Sequence, residues 1–240
     1  MENKKTNLIS LSGLAGSGKD TVGQIVQWLT SDMYKIDNFT FEEWLNFGKA
    51  KVDYDHKWEI KKFATPLKQI ASILTGVPMQ SWEKQEFKKR DMGPEWGMTY
   101  REFLQKLGTD AIRNGLHKEV WVNALFSDFT EVKIMFRGEL SRVRPCPNWV
   151  ITDTRFENEL KAVKDRNGIT IRVIRPRSLS EIAKQGHYNL SKDGLVPTYT
   201  EHPSETAIDD ADFHYEIIND AGIPELIEKV KEILTKENII

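Results

Sequence analysis

Short apolar runs and amphipathic periods alternate along this chain, and their order predicts most of its elements. Leu8-Ile9-Ser10-Leu11 is a compact apolar run, read as a buried strand. Past a glycine-rich turn, Val22, Ile25, Val26 and Leu29 recur at helical spacing, so one face of a first helix packs on a sheet. Residues 58–63 alternate and predict a second strand. Ala64-Thr65-Pro66 opens a helix in which Leu67, Ile70, Ala71 and Leu74 share a face and Gly76 is the C-cap. Thr99 followed by Glu102 has the spacing of a capping box, and Leu104, Leu107 and Ala111 form the apolar stripe of the helix that follows. A further helix is expected from residue 118 to about 134, with Val120, Trp121, Ala124, Leu125 and Phe129 in the core.

The C-terminal half repeats the alternation. Trp149-Val150-Ile151-Thr152-Asp153 reads as a buried parallel strand that ends in a carboxylate. A helix over 156–165 stops at Asn167-Gly168, a strand covers Ile169–Ile174, and residues 215–219 form the last strand. The closing helix, 223–234, turns Leu226, Ile227, Val230 and Leu234 inward. Strands alternating with helices predict an α/β fold of three layers around a mainly parallel sheet.

Four stretches lack a sustained period. Residues 32–58, rich in aromatics among charges, read as an excursion from the core, with a short helix at Glu42-Glu43-Trp44-Leu45. Residues 77–97 are either a solvated connection or a flap over a substrate. Residues 137–147 are basic and contain proline, which predicts a loop. Residues 178–212, with Gly186, Gly194, Pro197 and Pro203, form a connection long enough to expect a functional role.

Composition bounds what these elements can do. The 240 residues suit a single domain, 1–240, with 39% hydrophobic and 29% charged residues typical of a soluble globular chain. A formal net charge of −2 argues against direct nucleic-acid binding through bulk charge. One cysteine, Cys146, excludes an internal disulfide framework and a cysteine zinc cluster. Met1-Glu2-Asn3-Lys4-Lys5 lacks the apolar region of a signal peptide, and no run has the length of a membrane span, so a cytoplasmic protein without a membrane partner is expected.

Candidate chemistry begins at Gly13-Leu14-Ala15-Gly16-Ser17-Gly18-Lys19-Asp20-Thr21, between the first strand and the first helix. This is the spacing and the context of a P-loop. Glycines let backbone N–H groups converge on phosphate oxygens, the helix N-terminus adds partial positive charge, and Lys19 supplies a mobile cation for the β/γ-phosphates. Asp20 stands where the consensus has Ser or Thr, and Thr21 comes one later. Asp153 at a strand end has the Walker-B position for holding Mg2+, with Arg155 two residues on. Arg175 and Arg177 follow another strand. Arg101, Gln105, Thr109 and Arg113 recur every four residues as one polar stripe, either an ordinary solvated face or a surface suited to a phosphate and a base at once. Gly108 within that helix implies a close approach by some neighbour. Scattered arginines at strand ends favour a kinase acting on a phosphorylated acceptor, where two clusters of negative charge are held together.

At this point the chain resembles the phage-type deoxynucleoside monophosphate kinases, a branch of the P-loop nucleoside monophosphate kinases. The resemblance rests on Ser17-Gly18-Lys19-Asp20-Thr21, Leu104-Gln105-Lys106-Leu107-Gly108-Thr109-Asp110, Trp121-Val122, Thr152-Asp153-Thr154-Arg155, Val173-Ile174-Arg175-Pro176 and His202-x-Ser204-Glu205. Lys-Asp-Thr is usual in that family, so Asp20 ceases to be an irregularity, though either Asp20 or Thr21 is left to meet the metal. The resemblance implies a P-loop NTPase fold with a helical acceptor-binding segment, 77–135, and a lid, 176–212. It implies transfer of the ATP γ-phosphate to a deoxynucleoside monophosphate, with ATP and Mg2+ as cofactors, in a bacteriophage's host cytoplasm. Gly13, Ala15, Gly16, Ser17, Gly18, Lys19, Asp20, Thr21 and Arg177 are then expected at ATP, and Asp153 and Thr21 at the metal. Lys19, Asp153, Arg155 and Arg175 are expected to act in catalysis, and Arg101, Gln105, Thr109, Arg113, Arg155, Ser204 and Glu205 at the acceptor. Two alternatives stay open: a kinase of another phosphorylated small molecule, of the dephospho-coenzyme A kind, and a nucleotide-hydrolysing switch or ATPase module. The aromatics of 32–58 and 82–96 make a homodimer a further expectation.

Overall fold

Strand β1 (Leu8–Ser12) is buried along its whole length, with a strand paired on each edge and helices over both faces. In this computed structural model, residues 6–36, 39–49, 57–136, 139–176, 188–191, 194–197, 207–208 and 211–240 are described. On one edge β5 (Trp149–Ile151) pairs in parallel from Leu8↔Trp149 to Ser10↔Ile151. On the other, β6 (Ile169–Ile174) pairs in parallel from Ile9↔Ile169 to Ser12↔Arg172. β9 (Tyr215–Ile218) extends the sheet beyond β6, again in parallel, and β2 (Glu59–Lys61) lies beside β5. The order is β2-β5-β1-β6-β9.

The pleat sorts these strands into two faces. Ile9, Leu11, Val150, Ile171, Val173 and Ile217 share one core with α1 (Lys19–Thr30) and α9 (Ile223–Lys236), through Val22, Ile25, Val26, Leu226, Val230 and Leu234. The opposite face meets α8 (Glu157–Lys164), where a Cβ on Gly168 would stand 2.6 Å from Val163 and 3.1 Å from Leu8. Helices on both faces of a mainly parallel sheet make the expected α/β sandwich. His214 ties β6 to the start of β9: its Nδ1 accepts from the Thr170 N–H at 3.0 Å, and its own N–H donates to Thr170 Oγ1 at 3.1 Å.

In the stretch read as an excursion, the described residues 32–36 and 39–49 pack on this core instead. A 3-10 turn (Asp32–Lys35) leads to α2 (Phe41–Lys49), and Phe41 is buried. Tyr34 and Phe41 pack on Trp28 of α1 with ring centroids 5.0 and 5.5 Å apart, and Trp44 stacks on Phe41. Aromatic area buried against α1 outweighs the charges interspersed with it, which lie on the outer side.

The chain divides into two compact units, Met1–Ile60 with Pro147–Ile240, and Lys61–Cys146. The second is helical: α3 (Thr65–Thr75), α4 (Met79–Glu83), α5 (Gln85–Lys88), α6 (Tyr100–Gln105) running into a π-helix (Lys106–Asn114), then α7 (Val120–Phe126). Its core is aromatic. Trp82 is fully buried, with Phe87, Tyr100 and Phe103 around it, so residues 77–97 contain core rather than only a solvated connection or a flap. Gly76 takes the left-handed C-cap conformation, φ +70°. The apolar face predicted for α3 is only partly buried: Ala71 is buried, Leu67 and Ile70 are half-buried, and Leu74 is 55% exposed; Ala111 and Ala124 are exposed as well.

The helix expected to reach residue 134 ends at Phe126, and β3 (Val132–Phe136) pairs with β4 (Glu139–Arg144) in an antiparallel ribbon where a loop was expected. Ser127 Oγ donates to the Ala124 carbonyl at the helix end, and beyond it Val132, Ile134 and Phe136 recur with period two rather than 3.6. A second ribbon, β7 (Tyr188–Ser191) with β8 (Gly194–Pro197), interrupts the long C-terminal connection. Among the described residues no helix is long and apolar enough to cross a membrane.

Candidate nucleotide site

Because β5, β1 and β6 are parallel neighbours, the segments leaving their C-terminal ends emerge along one edge of the sheet. They are Thr152-Asp153-Thr154-Arg155, Gly13 to Thr21, and Arg175. All belong to the first unit. Ligands of open α/β sheets bind at this edge.

The glycine-rich loop has the backbone that a phosphate cradle needs. Gly13, Gly16 and Gly18 have φ of +148°, +78° and +100°, values that side-chain-bearing residues rarely adopt. Gly13 also lies against β6, where a Cβ would stand 2.3 Å from the Val173 carbonyl oxygen. Gly18 is the N-cap of α1 and gives it no side-chain cap, so the first N–H groups of that helix are left open to an anion or to water. Ser17 Oγ is buried with no hydrogen-bond partner among the described residues. Alternating left-handed glycines, an uncapped helix start and a buried unpartnered hydroxyl fit a polyphosphate. Lys19 is 8% exposed, and its Nζ donates to the Leu14 carbonyl at 3.3 Å, folded back over the loop it follows.

Hydrogen bonds fasten this loop to its neighbours. Thr152 Oγ1 donates to Asp20 Oδ1 at 3.0 Å, joining the start of α1 to the end of β5 beside Asp153. Asn219, one residue past β9, donates from Nδ2 to the Ser17 carbonyl at 2.9 Å. The turn from β5 into α8 is held by Glu159, a buried carboxylate whose Oε2 accepts from the N–H groups of Arg155 at 2.9 Å and Phe156 at 3.2 Å. Ser10 and Thr154 share a buried hydroxyl–hydroxyl bond of 2.6 Å, which fixes the same turn against β1. Asp153 and Arg155 are half-buried and Arg175 is exposed. Read along the chain, Glu159 has no part in the site, and Thr152 and Asn219 have only a place in a strand, with Thr152 also inside a family motif. Glu159 stands three residues after Phe156, but a phenylalanine has no side-chain acceptor to complete a capping box and so gave no signal; nothing local relates Asn219 to a loop two hundred residues earlier.

The polar stripe lies in the second unit and is described by itself. α6 begins at the predicted capping box: Thr99 N–H donates to Glu102 Oε2 at 2.7 Å and Glu102 N–H to Thr99 Oγ1 at 3.2 Å. Four residues overshoot one turn of an α-helix, whereas in π winding, with i→i+5 bonds, they fall short of one. The change of winding at Lys106 therefore cancels the drift and keeps Arg101, Gln105, Thr109 and Arg113 in line over three turns. Arg101 donates to Gln85 Oε1 at 3.0 Å, and Arg113 is buried at 8% exposure. The close approach implied by Gly108 is made by Leu67 of α3, 2.7 Å from where a Cβ would stand, and the Gly108 carbonyl accepts from Trp121 Nε1 at 3.0 Å. That glycine serves packing.

Arg177, His202, Ser204 and Glu205 lie outside the described residues, as does most of the expected lid. Among the described residues no three His, Cys, Asp or Glu side chains group as a metal site; Asp153 and Thr21 together with phosphate oxygens and water would be the donor set of a Mg2+ ion, which needs few protein ligands because phosphates and waters fill the rest of its shell.

Against known proteins, residues 49–202 match the family described as deoxynucleotide monophosphate kinase. A protein of Acanthamoeba polyphaga mimivirus, described as "Putative deoxynucleotide monophosphate kinase", is 30% identical over 182 residues, covering 72% of this chain and 77% of its own. It is a viral relative, and it offers nothing specific to a bacteriophage. Among solved structures, a dephospho-CoA kinase from Campylobacter jejuni aligns over 96% of this chain and 97% of its own at 10% identity, with a TM-score of 0.39.

Proposed function

The chain belongs to the deoxynucleotide monophosphate kinase family, and from that premise we propose that it transfers the γ-phosphate of ATP to a deoxynucleoside 5′-monophosphate, giving ADP and the diphosphate. One observation carries the reading. The P-loop, Asp153-x-Arg155 and Arg175 leave three adjacent parallel strands on one edge of the sheet.

In this reading the amides of Gly13 to Thr21, Ala15 and Gly16 included, hold the donor phosphates, and Lys19 leaves the Leu14 carbonyl to meet them. Asp153 and the Thr21 hydroxyl hold Mg2+, which when bound neutralises charge on the phosphate oxygens. Asp20 accepts from Thr152 and so organises the loop rather than the ion. Arg155, its backbone fixed by Glu159, meets charge that grows on the transferring group. Arg175 and Arg177 are assigned to the same phosphates, and Ser204 and Glu205 to the acceptor. Because phosphoryl transfer needs positioning and charge stabilisation more than covalent help, this cationic set suffices.

The acceptor is assigned to Arg101, Gln105, Thr109 and Arg113. A guanidinium suits a phosphate, and an amide and a hydroxyl suit a base edge. The experiment is an acceptor panel. Deoxynucleoside monophosphates and dephospho-coenzyme A are offered separately with ATP, and ADP is measured; a deoxynucleotide-dependent rate supports the reading, and a rate dependent on dephospho-coenzyme A alone replaces it.

A further inference from the structure

We propose that Asn219 is a positioning residue for the donor nucleotide: through the Ser17–Gly18 peptide it aims a P-loop amide at the phosphates. The inference rests on reading Gly13 to Thr21 as the ATP site.

The geometry comes from two bonds and one close contact. Asn219 N–H donates to the Ile174 carbonyl at 2.7 Å, continuing the β6–β9 ladder by one residue, so its backbone is fixed by the sheet. Its Nδ2 donates to the Ser17 carbonyl at 2.9 Å. Only the NH2 end of the amide can face a carbonyl, which settles the side chain's orientation. A trans peptide is planar, and its C=O and N–H point in opposite directions. Holding the Ser17 oxygen on Asn219 therefore turns the Gly18 N–H the other way, toward the hollow of the loop. The same amide lies 2.4 Å from where a Gly18 Cβ would be. Gly18 is thus required twice, by its φ of +100° and by the space Asn219 occupies.

This bond spans 202 residues and joins the last strand of the sheet to the loop after the first. Ser17 N–H and the Gly18 carbonyl stay bonded to Leu14 and Val22, but without the Asn219 bond nothing holds the Ser17 carbonyl, and an anion must then set the tilt of the Ser17–Gly18 peptide itself. The loss falls on donor phosphates and leaves the acceptor untouched, which separates a positioning role from a general structural one.

The test replaces Asn219 by Leu, close in shape, uncharged and without a donor, and in parallel by Ala, so that a folded variant is in hand if Leu disturbs the strand end. Dissociation constants for ATP and for inorganic tripolyphosphate, the KM for the deoxynucleoside monophosphate, and the ligand-free melting temperature are measured on the full chain. We expect both dissociation constants to rise by the same factor, about tenfold for one lost amide contact. The acceptor KM and the ligand-free melting temperature are expected to hold. A folded variant that binds tripolyphosphate as the parent does overturns the proposal, and so does an equal loss at the acceptor. If the unsubstituted protein binds neither ATP nor tripolyphosphate, the ATP-site reading falls first and takes this inference with it.

Discussion

Thr152 Oγ1 donates to the carboxylate of Asp20 at 3.0 Å. The bond joins the residue after the P-loop lysine to the residue before the strand-end aspartate. A Cβ on Gly23, one turn along α1, would stand 2.7 Å from the Thr152 methyl group, so helix and strand end are in close contact here. An aspartate in place of the consensus hydroxyl residue therefore acts as a strut, and in the proposed reading the hydroxyl for the metal comes one position later, from Thr21.

That division of labour predicts a difference between two substitutions. Thr21→Val should raise the Mg2+ concentration for half-maximal turnover about tenfold or more, the scale of losing one ligand-shell contact, while Asp20→Asn should move it less. A magnesium titration of the rate decides; a larger shift in Asp20→Asn would move the metal contact to Asp20.

Lys19→Met keeps the buried stem and removes only the charge. Turnover should fall by about 10²-fold or more, as for other lost transition-state contacts, with the ligand-free melting temperature unchanged. Near-parental activity would take the P-loop lysine out of the mechanism.

Arg155 and Glu159 should separate chemistry from support. Arg155→Ala should lower kcat more than it raises KM, because in the proposed mechanism its contact tightens in the transition state. Glu159→Ala leaves the Arg155 and Phe156 N–H groups without their carboxylate. It should cost about 1–3 kcal/mol of stability, seen in chemical denaturation, together with a fall in kcat. A kcat loss in Glu159→Ala without destabilisation would contradict the supporting role.

Much of this was legible along the chain for a physical reason. Strands such as Leu8–Ser12 and Ile169–Ile174 are buried on both faces and have apolar runs to match, and the loop's glycines have φ values that leave little choice of residue. Where reading failed, distant packing had overridden local pattern. The aromatics of 34–44 looked like surface until Trp28 gathered them. A helical period was extended past Phe126 into residues whose alternation belongs to a ribbon. The site's struts, Thr152 to Asp20 and Asn219 to Ser17, join residues 132 and 202 positions apart, and no local spacing encodes such pairs.

Acid should loosen the helical unit through its capping box. The Thr99 backbone N–H, and after it the Thr99 hydroxyl, hold the Glu102 carboxyl below its ordinary value of 4.5. A lowered carboxyl contributes stability that is present above the unfolded value and lost as pH falls through the folded one. The melting temperature should therefore fall more steeply between about pH 5 and about pH 3 in the parent than in Glu102→Gln; equal slopes would show that the cap adds no pH dependence.

The most direct test of the central claim follows both products at once. ATP and Mg2+ are incubated with each deoxynucleoside monophosphate in turn, and ADP and deoxynucleoside diphosphate are separated and quantified. The predicted result is equal amounts of the two products with at least one monophosphate and negligible ADP without any. ADP formed at the same rate whether or not a deoxynucleotide is present, with no diphosphate, would contradict it.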